Sequence, residues 1–218
     1  MKDTKKLIIP LIGNLEEMDF RQLDLAMENK AAKGFINEAG WQKKFPYTPV
    51  CSFAIARSRT HIAILFHNRG LDLRASVSQD NGKSWEDSCC EFFVSDPYDG
   101  TYYNFELTCI GFLRAGKGAD RNNRKLIGQN KLDEVIRYTS LPHKNMDIEG
   151  NIYSWTAGMA IPLSLIGVDP ENPPIRLSGN FYKCADKTEH QHFLSWNKIK
   201  SDKPDFHRPE YFGEMILK

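Results

Sequence analysis

From residue 50 onward, apolar and polar positions alternate over short stretches. VCSFAIARS (50–58), THIAILFHN (60–68) and LDLRASVS (71–78) are β-prone runs separated by few residues, and a period of two over such lengths marks a half-buried strand. QDNGKS (79–84) then supplies a turn through Asn81 and Gly82, residues that accept the left-handed backbone of a tight turn. CCEFFVS (89–95) and YYNFELTCIG (102–111) predict two further strands, joined by the turn-rich DPYDG. Alternation then fails over FLRAGKGADRNNRKLIGQNK (112–131), a polar, basic, glycine-containing stretch that reads as a long surface loop; loops of that length in compact domains often carry function. Strands resume with EVIRYTS (134–140), IYSWTAGMAI (152–161) and IRLSGNFYK (175–183), and the C-terminal segment from His192 gives one strand, a long polar loop and a final strand.

One stretch follows a different period. In DFRQLDLAMENKAAK (19–33), Phe20, Leu23, Leu25 and Met27 sit among charges and Gly34 follows as a stop, the pattern of an amphipathic helix. About ten short strands and one helix predict an all-β fold, an antiparallel β-sandwich with a short N-terminal helix. The expectation is a single domain over residues 1–218, with 1–40 as an N-terminal strand and helix extension.

Composition narrows the function classes. The 218 residues include 41% hydrophobic and 11% aromatic side chains, enough to fill a core. The 29 basic and 28 acidic side chains leave a formal charge of +1, which argues against a nucleic-acid partner held by phosphate neutralisation and against a polybasic membrane-binding patch. No apolar stretch approaches the roughly 20 residues that span a bilayer. LIIPLIG near the N-terminus is short, carries a proline, precedes acidic residues and lacks a small-residue cleavage site, so it predicts a β-segment rather than an export signal. The compartment follows as cytoplasmic for the chain as written, and secreted or periplasmic if a leader is missing. Cys51, Cys89, Cys90, Cys109 and Cys184 include no C-x-x-C pair, so a zinc ribbon is not expected. Cys89 and Cys90 are strand neighbours whose side chains point to opposite faces, so free buried thiols are expected.

Two segments carry a resemblance. WEDSCCEFFV (85–94), followed by YYNFEL (102–107), is similar to the W-x-x-D-S-V-E-x-F pattern of family 9 carbohydrate-binding modules, and SWNKIKSDKPDFHRPEYFGEMIL (195–217) resembles that family's closing segment. The match in order and spacing runs from Trp41 to the C-terminus. It implies a β-sandwich of the DOMON-like type that binds sugars without cleaving them, one sugar unit being clamped between two tryptophans. Residue by residue, the first clamp position corresponds to Trp85 and the carboxylate of the following strand to Glu91. The second clamp position falls on Phe206, the family's arginine lands on Glu106 and its glutamine on Tyr182, so the resemblance implies a more acidic site than the family's. Lys183, Asp186, His207 and Arg208 lie near enough to compensate, with Arg208 placed to pair with Glu106 or to reach a sugar hydroxyl. The implied partner is an oligosaccharide or a polysaccharide chain end, with no required cofactor. Family members often carry structural calcium, for which Asp96 and Asp99 of SDPYDG are the implied ligands.

The residues suit that reading independently. A sugar presents apolar C–H faces edged by hydroxyls, so its site calls for an aromatic platform, worth about 0.5–1.5 kcal/mol beyond burial, and polar partners, worth about 1.5–3 kcal/mol each when charged. Other chemistries can be drawn from the same residues. Glu91 and Glu106 could be the paired carboxylates of a glycosidase. His190 and His192 share a strand face and, with His207 or Glu210, could hold a metal. His61, His67 and Met159 could serve as axial ligands to haem, without a C-x-x-C-H attachment, and Cys184 could pair with His190 or His192 as a nucleophile. Trp41, Trp155 and Trp196 read as packing residues.

Overall fold

A computed structural model describes residues 4–218; the first three residues of the N-terminal reading lie outside the described residues. In chain order the first elements are β1 (Lys6–Ile9), helix α1 (Phe20–Lys30), β2 (Ala32–Phe35), β3 (Val50–Arg57) and β4 (His61–Ala75). There follow β5 (Cys89–Ser95), β6 (Tyr102–Thr108), β7 (Leu113–Gly118), β8 (Arg124–Leu126), the short helix α2 (Gln129–Leu132) and β9 (Ile136–Thr139). The chain ends with β10 (Met146–Pro162), β11 (Arg176–Cys184), β12 (Phe193–Ser195) and β13 (Gly213–Leu217).

These strands form a sandwich. One sheet runs β1-β13-β11-β5-β6-β7-β8, with β12 pairing on β11, and the other runs β2-β3-β4-β10-β9. The paired strands are antiparallel except β1 beside β13. The core between the sheets centres on Phe181, whose ring stacks on Phe53 (3.8 Å) and Phe92 (5.0 Å) and meets the edge of Trp196 (5.7 Å). Trp155 and Trp196 belong to that core. The helix starts at an Asp19 cap, whose side chain accepts the Gln22 N–H while the Gln22 side chain accepts the Asp19 N–H, and it lays Leu23 and Met27 on the outer face of the second sheet.

Two expectations change. The runs 60–68 and 71–78, expected as two strands, join in the single strand β4 (His61–Ala75): Asp72 takes a left-handed φ of 64°, and its carboxylate accepts the N–H of Gly150 opposite (2.8 Å), so the irregularity is absorbed without ending the pairing. The expected loop 112–131 contains β7, β8 and α2. The outer face of the larger sheet is covered at β5 and β11. Period two sends Cys90, Phe92 and Val94 into the core and Cys89, Glu91 and Phe93 outward. There the loop between β12 and β13, together with Trp41, covers them with a third layer that includes Phe206 and Phe212. Trp41 anchors this layer by donating Nε1–H to the Ser201 carbonyl (2.8 Å).

Candidate functional site

Beside the third layer the sheet leaves a cleft of about 180 Å³. Its lining brings Trp85, Glu91, Glu106 and Phe206 together with Arg121, Arg124, Asp186, Phe193 and His207. Strand register lays the floor. Tyr182, Glu91, Glu106 and Arg114 are directly opposite one another on β11, β5, β6 and β7, so their side chains leave the same face of the sheet in one row.

Trp85 forms one wall. It sits on a 3-10 turn, Ser84–Glu86, held by the two residues that follow it. Asp87 is fully buried and its Oδ2 accepts the N–H groups of Ser76 and Val77 (2.7 Å each), while the Ser88 hydroxyl accepts the Arg74 N–H (3.1 Å). The Asp-Ser pair therefore ties the end of β4 to the start of β5 and fixes the turn between them. Arg114, which donates Nη1–H to the carbonyls of Asn81 (2.7 Å) and Gly82 (3.2 Å), places its guanidinium 5.1 Å from the centre of the Trp85 ring. This cation–π contact orients the indole.

Phe206 stands on the third layer. Its ring lies flat on Tyr182 at 4.3 Å with 9° between planes. Tyr182, expected as a polar contact, does not reach the cleft: it is fully buried beneath Phe206 and donates its hydroxyl to the Phe206 carbonyl (3.1 Å). It is a support for the platform. Arg208, also expected in the site, turns away and pairs with Glu210 (2.7 Å), because the chain enters a 3-10 turn at Pro209 that brings that carboxylate alongside. The cations that meet Glu106 are instead Arg124 (3.5 Å) and Arg114 (4.0 Å). Arg124 reaches it across Gly116 and Gly118; a Cβ at Gly118 would run into the Asn123 carbonyl and the Arg124 backbone. Arg124 also donates Nη1–H to Nε2 of His207 (2.9 Å), which leaves the histidine proton on Nδ1, donated to the Tyr102 hydroxyl (2.7 Å). Burial, then the charges of Arg124, Arg121 and Arg114, push the His207 pKa down to about 2.

Two carboxyls share the floor in different surroundings. Burial pushes Glu106 up, opposed by Arg124, Arg114 and Arg121, and Asn104 donates to its Oε1 (3.0 Å). Glu91 is pushed up further, by burial and then by the charge of Glu106; its Oε1 accepts the Cys184 thiol (3.2 Å). Glu91 is thus the more strongly raised of the two, and two adjacent carboxyls with different proton affinities can present a ligand with both donor and acceptor groups. Asp186, on the Trp85 side, is raised by burial to about 6. Glu106 Oε2, Asn104 Oδ1 and Asp186 Oδ1 are acceptors with no hydrogen-bond partner.

The remaining expectations fall elsewhere. Asp96 and Asp99, the implied calcium ligands, both accept the ammonium of Lys117 (2.9 and 2.7 Å), which takes the position between them that a cation would occupy. His190 is bonded to Asp72 (2.9 Å), His192 is buried with Nδ1 against the His190 carbonyl (2.8 Å), and His207 is in the cleft, so the three do not meet. Met159 lies in the core, whereas His61 contacts Glu16 and His67 faces Thr156 on the second sheet. Among the described residues, Cys89, Glu91 and Cys184 are the group whose ligand atoms come within 4.8 Å of one another; burial pushes Cys89 up to about 12, and Cys184, raised chiefly by its hydrogen bond with Cys89, spends its S–H on Glu91. They form a buried, hydrogen-bonded part of the floor. Arg121 and Arg124 were hidden in the stretch read as a loop, and their basic, glycine-spaced composition was the signal available.

Comparison with known proteins agrees with this architecture. No curated protein matches the chain. A candidate carbohydrate-binding protein from Bacteroides uniformis is 33% identical, covering 99% of this chain and 100% of its own, with a TM-score of 0.89. Two structures of a family 9 carbohydrate-binding module from Caldicellulosiruptor kristjanssonii, one with glucose and one with cellotriose, share the fold at a TM-score of 0.62. They are 12% and 11% identical and cover 98% of this chain, and 96% and 94% of theirs. The sequence model of carbohydrate-binding family 9 matches residues 21–217, nearly the whole described chain, and the protein belongs to that family.

Proposed function

We propose that this protein binds carbohydrate without cleaving it, holding one sugar unit of an oligosaccharide or polysaccharide chain end in the cleft, in the service of carbohydrate utilisation. The observation that carries the reading is the convergence of Trp85 and Phe206, far apart in sequence, on a single cleft whose floor is the Glu91–Glu106 pair. The indole supplies the apolar face for stacking; the carboxyls, Arg124 and the partnerless acceptors address the hydroxyl rim. The two carboxyls rise side by side from paired strands beneath the ligand position, and Glu106 is engaged by Arg124 and Asn104. That arrangement favours grip over the opposed acid and nucleophile of a glycosidase. The glucose and cellotriose seen in the Caldicellulosiruptor modules make β-linked glucose units the first ligands to try.

Isothermal titration with glucose and cellotriose, alongside a glycan array, tests this. Affinity should be modest, because a one-sugar cleft buries little area. Trp85→Ala should lose at least about tenfold in affinity, the removal of stacking and burial together, with its melting temperature near the parent's. Unchanged affinity in that variant, or no glycan bound by the parent, overturns the reading.

A further inference from the structure

The cleft carries more carboxyls than cations. Arg121 bonds Asp205 (2.8 Å) and Arg124 faces Glu106 (3.5 Å), which leaves Glu91 and Asp186 in the lining with no ion pair among the described residues. These two converge beside Trp85. The Asp186 N–H donates to the Trp85 carbonyl (2.9 Å), and the Cys184 sulfur lies 3.9 Å from that carbonyl and 3.2 Å from Glu91 Oε1. Asp186 Oδ1 has no hydrogen-bond partner, and neither does Glu106 Oε2, in a residue only 3% exposed. Buried acceptors without donors are costly, and surplus buried carboxyls more so. A neutral hydroxyl brings one donor and no charge, whereas an ammonium group brings three donors and a positive charge.

We propose that the cleft selects a cationic sugar: an amino sugar whose ring stacks on Trp85 and whose ammonium group is held by Glu91 and Asp186. This rests on the carbohydrate-binding reading above and names the substrate class of the same site. Burial pushes both carboxyls up, Asp186 to about 6, as expected where a counter-charge is lacking. Uronic and sulfated sugars are disfavoured by the same surplus.

The test is calorimetric titration of the intact protein at pH 7 with glucosamine, galactosamine and mannosamine, each beside its parent hexose. At least one amino sugar should bind about tenfold or more tightly than its parent, the worth of one charge-assisted hydrogen bond. In Glu91→Gln/Asp186→Asn that ratio should fall toward one. Should the double variant fail to fold, Asp186→Asn alone, at a partly exposed position, should reduce the ratio. Parent hexoses bound as tightly as every amino sugar overturn this inference and leave the carbohydrate reading standing, as does a ratio untouched by the substitutions. If neither amino sugars, hexoses nor cellotriose bind, both fall together.

Discussion

At the scale of single residues, Glu91 is the informative position. It is the one charge within CCEFFVS, and strand alternation places it on the face opposite Phe92, so its outward placement was legible from six neighbours. Its state was not, because the groups that set it come from β6, from Cys184 and from Asp186. An acid whose folded pKa lies above its unfolded value opposes folding as pH rises, since the native protein must retain a proton that the unfolded chain has released. That penalty is absent near pH 4 and grows toward neutrality. Glu91→Gln is therefore expected to melt above the parent at pH 7, with the difference shrinking toward pH 4; an equal difference at both values in thermal melts would mean that Glu91 is ionised in the native state. His207 acts in the opposite direction. Its folded pKa is depressed to about 2 from an ordinary 6.5, so its contribution is complete above pH 6.5 and is lost as pH falls, when the unfolded chain takes up a proton that the native imidazole refuses.

At the scale of elements, β5 and β6 were readable although they are buried on both faces, and β7 and β8 were not. β7 and β8 escaped because Gly116 and Gly118 interrupt the apolar pattern, and those glycines are there to let Arg124 pass over the strand. Arg208 was assigned by spacing from a motif, yet a local 3-10 turn decided its direction. Tyr182 was assigned in the same way and lies one layer too deep. Its structural part can be measured. The Phe206 carbonyl accepts both the Tyr182 hydroxyl (3.1 Å) and the Arg208 N–H (2.8 Å), so Tyr182→Phe removes one of the two bonds that seat the platform. A buried hydrogen bond of this kind is worth about 1 kcal/mol, or about 2–4 °C in melting temperature for a chain of this size. Amide exchange should quicken around residues 205–208, and the affinity for glucose should weaken in step. A variant with parental melting and exchange would show that the stack alone holds Phe206 in place.

At the scale of the whole molecule, the sandwich was legible because its hydrophobic periods are short and regular. The third layer was not: the loop between β12 and β13 is polar in sequence and is bound by contacts that join distant positions, such as Trp41 to Ser201 and Arg121 to Asp205. That layering sorts the indoles. Of the four tryptophans, Trp41, Trp155 and Trp196 are 7%, 5% and 4% exposed, and Trp85 stands partly uncovered on the cleft wall. The chain accordingly carries its own optical gauge: emission that a dissolved quencher such as acrylamide can reach should come almost wholly from residue 85, and it should vanish in Trp85→Phe. Shielding of that fraction then reads occupancy of the cleft directly, with no label attached to protein or sugar.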